Sequence, residues 1–109
     1  WKEVFKFAVR KVPEIVEDIL KEAEMTPEEI KYFVLHQANY RILEAASRWL
    51  KIPMEKIPVN IDRYGNTSAA SIPILLDEMK QEGKLKRGDK LVLAGFGSGM
   101  TWGATLLEW

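Results

Sequence analysis

The chain has 109 residues, 47% apolar and 29% charged, a balance that excludes a disordered polymer and allows one domain with its own core. Sixteen basic and sixteen acidic residues cancel, so no overall field favours nucleic acid or an anionic membrane, and no apolar run is long enough to span a bilayer. With no cysteine, disulfides, thiolate metal sites and a cysteine nucleophile are excluded within these residues, and the reading is a cytoplasmic, unstapled protein.

The opening Trp1-Lys2-Glu3-Val4-Phe5 has no initiator methionine, which leads us to expect a piece cut from something longer. Residues 3–24 place Val4, Phe5, Ala8, Val12, Ile15, Val16, Ile19, Leu20 and Ala23 at helical spacing along one stripe. Pro13 interrupts it, so the pattern predicts a long helix kinked there, with two helices as the alternative. Thr26-Pro27-Glu28-Glu29 predicts a single-turn helix, with Thr26 as cap and Glu29 closing a capping box. Tyr32-Phe33-Val34-Leu35 is a short, wholly apolar run, the pattern of a strand covered on both faces as in a parallel sheet.

His36-Gln37-Ala38-Asn39 follows directly. A helix from about Asn39 to Leu50 then carries Ile42, Leu43, Ala46, Trp49 and Leu50 on one side, and Lys51-Ile52-Pro53 stops it. Ile57-Pro58-Val59-Asn60-Ile61 reads as the next strand. Asp62-Arg63-Tyr64-Gly65-Asn66 makes a polar corner, and a helix opening in small residues begins around Thr67 and reaches about Glu82. That helix is expected to bury Ala70, Ile74, Leu75 and Met79, with Pro73 in its early turns. Gly83 and Gly88 bracket a basic turn. Leu91-Val92-Leu93-Ala94 is a further buried strand, Gly95-Phe96-Gly97-Ser98-Gly99 a tight turn, and Thr101 to Trp109 a last strand antiparallel to its predecessor. The order α-β-α-β-α-β-β predicts an α/β fold with a mainly parallel, mixed sheet in one domain over residues 1–109.

Ligands of such sheets bind beyond the carboxyl ends of the strands. Three corners leave those ends: His36, Asn66 and the glycine turn at 95–99. His36 is either a helix-start histidine satisfied by a backbone group or a neutral donor to a developing oxyanion. A second histidine and any cysteine are lacking, which argues against zinc. Asn66 is either a turn and cap residue or a second donor. The glycine turn lacks the ending of a phosphate loop and precedes a strand; it is a hairpin turn or a row of backbone N–H groups for an anion. Lys6, Arg10, Arg41, Arg48 and Lys51 lie on or near the helices bordering His36, as a solvated face or as a face for an acidic partner.

Three strings resemble one family: His36-Gln37-Ala38-Asn39 followed by Arg41; the run from Asn60 through Asn66 to Ser71; and Gly95 through Thr101-Trp102-Gly103. They are similar to the C-terminal part of β-ketoacyl-acyl carrier protein synthase III. The resemblance implies a thiolase-like fold of two stacked α/β halves, of which this chain supplies most of the second. It further implies the decarboxylative condensation of acetyl-CoA, or another short acyl-CoA, with malonyl-acyl carrier protein, which starts type II fatty-acid synthesis. His36 and Asn66 match donors to the malonyl thioester oxygen, and the backbone N–H of Ser98 matches an oxyanion donor to the acyl-cysteine. Ala38, Asn39, Arg41, Phe96 and Gly97 match positions that bind substrate or line the pantetheine channel. Lys6, Arg41 and Arg48 match positions that meet the phosphopantetheine or the acidic carrier. No metal and no bound cofactor is implied; the full-length enzyme is expected to be a homodimer.

Ser98 stands where glycine is common, a minor departure if only its N–H is used. The nucleophilic cysteine belongs to the N-terminal half, so this chain alone is expected to be inactive. A plant-type polyketide synthase relative and a non-catalytic module that binds CoA or a carrier protein are the alternatives.

Overall fold

A computed structural model describes residues 2–36, 40–59, 71–96 and 102–109. The first helix, α1, runs from Lys2 to Glu22; Pro13 lies buried within it and does not divide it in two. After it, the expected capped turn at Thr26 is a three-residue 3₁₀ turn, Pro27–Glu29, and its capping box does not form. Thr26 makes no side-chain cap bond; the Glu29 N–H donates to the Thr26 carbonyl at 3.1 Å, so backbone alone closes the turn.

Strand β1 is Tyr32–Leu35, as the apolar run predicts. Helix α2 is Tyr40–Leu50 and buries Ile42, Leu43, Ala46, Ser47 and Leu50. Trp49, expected on that side, is instead 53% exposed. At 100° per residue Trp49 falls on the margin of the stripe, and its indole Nε1 donates across to the Glu17 carboxylate on α1 at 2.8 Å. Ser47 can be buried because its hydroxyl donates to the Ile52 carbonyl at 2.6 Å.

Residues 54–56 form a second 3₁₀ turn. The strand expected from Ile57 is not formed over its described part, residues 57–59. Ile57 spends its N–H on the Met54 carbonyl at 2.9 Å, and Pro58 has none to offer, so neither can donate to a ladder. Asn60 and Ile61 lie outside the described residues.

Helix α3 is described from Ser71 to Gln81, with Leu75 and Met79 buried, Ile74 half-buried and Pro73 exposed in the first turn. The expected start from Thr67, and Ala70 with it, lies outside the described residues. Strand β2 is Lys90–Phe96, longer than expected: Gly95 and Phe96, read as turn, belong to the strand. Strand β3 is Trp102–Glu108.

The three described α-helices end alike. Glu24, Lys51 and Gly83 take positive φ of 54°, 56° and 73°, and the next N–H reaches back five residues: Met25 to Leu20, Ile52 to Ser47 and Lys84 to Met79. This left-handed closure satisfies carbonyls the helix leaves open.

The described strands form one mixed sheet in the order β1-β2-β3. β1 and β2 pair parallel, from Tyr32 opposite Leu91 to Leu35 opposite Ala94; β2 and β3 pair antiparallel, with Gly95 opposite Gly103. Alternation sorts the side chains. Phe33, Leu35, Val92 and Ala94 turn to α1 and α2, joining Ala8, Val12, Val16, Leu43 and Ala46 in the main core, against which Ala104 and Leu106 pack. Val34 turns the other way, against Leu75 and Met79 of α3, with Tyr32, Ile72, Leu76 and Leu93 around them. β1 is thus covered on both faces, as its unbroken apolar sequence requires.

Candidate functional site

His36 is the residue after β1. Its backbone N–H donates to the Ala94 carbonyl at 2.9 Å, which carries the parallel ladder one step beyond Leu35. The residue continues the alternation of Tyr32 and Val34, and so belongs to the α3 side of the sheet. It is half-buried, and burial pushes its imidazole below the ordinary pKa of 6.5. At pH 7 the ring is therefore neutral and carries one N–H donor, the form that can bond to an oxyanion without giving up a proton.

Gly95 stands beside it. A Cβ built there would meet the Cβ of His36 at 3.0 Å and Cδ1 of Ile72, in the first turn of α3, at 3.5 Å. The carboxyl end of β1, the end of β2 and the start of α3 therefore converge, which is the arrangement expected of a site at the carboxyl edge of a parallel sheet. Reading the chain alone assigns Gly95 to a turn. The signal it overlooks is a glycine in a strand interior, which marks a close approach by another backbone.

Of the other expected site residues, Ala38, Asn39, Asn66, Gly97 and Ser98 lie outside the described residues. Phe96 is described as the last residue of β2 through its backbone only. Lys6 on α1 and Arg41 and Arg48 on α2 are exposed, as are Arg10 and Lys51; Arg10 lies 6.0 Å from the centroid of the Phe7 ring. These cations line the two helices that pack together on the face opposite α3.

A concavity of about 620 Å³ opens at the other end of the sheet, by the amino ends of β1 and β2. Its lining mixes Glu28, Glu29 and Asp89 with Lys31, Lys56 and Lys90. Lys56 already donates to the Pro27 and Glu28 carbonyls at 3.1 and 3.3 Å, so this hollow gathers no donor set of one kind. Among the described residues no group of three or more His, Cys, Asp or Glu could hold a metal ion, and no helix is long and apolar enough to cross a membrane.

Residues 20–109 match the family described as 3-oxoacyl-[acyl-carrier-protein (ACP)] synthase III C terminal. The chain belongs to this family. Among its relatives, the beta-ketoacyl-[acyl-carrier-protein] synthase III of Synechocystis sp. is 53% identical over 108 residues, 99% of this chain and 33% of that protein. The same enzyme of Clostridioides difficile is 54% identical over 98% of this chain and 33% of its own length. The crystal structure of 3-oxoacyl-[acyl-carrier-protein] synthase III from Aquifex aeolicus VF5 superposes with a TM-score of 0.95 at 51% identity, covering 99% of this chain and 35% of that one. The chain thus spans about a third of the length of the curated relatives it matches, and its fold is that of the C-terminal α/β part of these synthase III enzymes.

Proposed function

We propose that this chain is the carbanion-stabilising, C-terminal part of a condensing enzyme that joins acetyl-CoA, or another short acyl-CoA, to malonyl-acyl carrier protein. The observation that carries the reading is His36: a half-buried imidazole, kept neutral by burial, at the carboxyl edge of the sheet in a chain of the synthase III family. When the malonyl carboxylate leaves as CO2, the bonding pair passes to the α-carbon and spreads onto the thioester oxygen. His36 and Asn66 donate hydrogen bonds to that oxygen. Fixed neutral donors act where the charge develops, and removing one such donor typically costs about 3–4 kcal/mol in the transition state.

The carbanion attacks an acyl thioester on a cysteine, whose carbonyl oxygen becomes the second oxyanion, bonded by the backbone N–H of Ser98. The C–C bond forms as the cysteine sulfur leaves. This chain contains no cysteine, so the nucleophile comes from outside these residues and the chain by itself turns nothing over. Ala38, Asn39, Arg41, Phe96 and Gly97 bind the pantetheine arm, and Lys6, Arg41 and Arg48 meet the acidic carrier. The exposure of these three cations supports a docking role.

The test uses the full-length protein. His36→Ala and Asn66→Ala are each expected to lower malonyl-carrier decarboxylation by 10²-fold or more (roughly the effect of removing one oxyanion donor). Covalent acylation of the cysteine by labelled acetyl-CoA should stay near the parental rate. Loss of acylation with decarboxylation preserved would overturn the assignment.

A further inference from the structure

Gly95 and Gly103 face one another in the β2–β3 ladder, yet their surroundings are opposite. A Cβ on Gly103 would meet nothing within 4 Å. On Gly95 it would lie 3.0 Å from the Cβ of His36, 3.9 Å from its Cα and 3.5 Å from Cδ1 of Ile72. Carbon atoms pack best at about 3.5–4.0 Å, so the nearest of these is tighter than ordinary contact, and His36 would have to give by a few tenths of an ångström. The positive-φ glycines among the described residues are Gly83 and Gly88, so backbone conformation does not demand glycine at 95. Space does. The crowding atoms of His36 are Cα and Cβ, which cannot swing aside as the end of a long side chain would, and the His36 N–H is tied to the Ala94 carbonyl at 2.9 Å.

We propose that Gly95 is a positioning residue: by carrying no side chain, it lets His36 and the first turn of α3 close on the same point, and so fixes where the imidazole stands. This rests on the reading of His36 as an oxyanion donor. A side chain at 95 pushes His36 aside by a few tenths of an ångström; since a misplacement of about 1 Å at such a centre can cost about 10²-fold in rate, a severalfold loss is expected.

The experiment compares Gly95→Ala, Gly103→Ala and His36→Ala in the full-length protein, following malonyl-carrier decarboxylation and cysteine acylation separately along with thermal unfolding. Gly95→Ala is expected to lower decarboxylation about 3- to 10-fold with acylation near the parental rate, and Gly103→Ala to leave both unchanged. Parental decarboxylation in Gly95→Ala, or an equal loss of both steps, would overturn the positioning role. If His36→Ala itself decarboxylates normally, the donor reading has failed, a result separate from any behaviour of Gly95→Ala alone. Should Gly95→Ala not fold, the double variant with Ile72→Ala opens space on the α3 side while keeping the contact with His36. The proposal then expects a folded protein with decarboxylation still impaired. Recovered decarboxylation, or a double variant that also fails to fold, would make Gly95 a residue of the fold and not of the site.

Discussion

The two faces of the sheet are built differently. Toward α1 and α2, Phe33, Leu35, Val92 and Ala94 are sealed beneath a continuous layer that includes Val16, Leu43 and Ala46. Toward α3, Val34, Leu75 and Met79 form a small buried nucleus whose neighbours Tyr32, Ile72, Leu76 and Leu93 are only partly covered. Gly103 and Thr105 of β3 are exposed on that second face. Among the described residues cohesion is concentrated on one side, and the candidate chemistry lies at the rim of the other. The dense face holds the strand ends in register, and His36, half-buried, stands on the other face at the carboxyl edge of the sheet.

Core truncation should give the largest contrast. Leu43→Ala is expected to cost about 4 kcal/mol, and Met79→Ala about 2 kcal/mol, because the loosely covered neighbours of Met79 can settle into the space. Urea denaturation of the two variants measures this, and equal losses would break the distinction between the faces. A smaller effect is expected at Trp49, the surface clasp between α1 and α2. Trp49→Phe removes the bond to Glu17 but little buried area, so it should cost about 1 kcal/mol or less. A loss as large as that of Leu43→Ala would mean that the dense face depends on its rim.

The smallest effect is one of pH and belongs to the thin face. His36 has its pKa lowered from 6.5 by burial, so between the lowered value and 6.5 the unfolded chain binds more protons than the folded one. Stability from this group is therefore complete above about pH 6.5 and lost as pH falls through the window below it. Thermal unfolding at about pH 7.5 and about pH 5.5 should show a steeper acid loss in the parent than in His36→Gln, and parallel losses would place His36 in solvent.

Much of this was legible in the chain. The run Tyr32–Leu35, apolar at every position, could only be a doubly covered strand, and the spacing of Ile42, Leu43, Ala46 and Leu50 defines the buried side of α2. What escaped depends on single hydrogen bonds. Ile57 looks like the start of a strand until its N–H is seen to close the preceding turn, and Thr26 reads as a cap although backbone does the capping. Trp49 counts as core by hydrophobicity, yet its indole N–H requires a partner, and Glu17 lies within reach at the surface. At the site, His36 could be singled out as the one histidine, placed directly after a strand. The role of Gly95 could not be read, because the local string Gly95-Phe96-Gly97 spells a turn and only pairing with β1 reveals the crowding.

That pairing also predicts an order of events. β2 and β3 are near neighbours in sequence and close as a hairpin, whereas the parallel bond between β1 and β2 joins Leu35 to Ala94 across most of the chain. Closing a longer loop costs more chain entropy, and distant pairings form more slowly. The hairpin is therefore expected to form first, and the contact that seats His36 against Ala94 and Gly95 to follow when β1 docks. The corner that holds His36 is then completed late, on a platform that the hairpin provides.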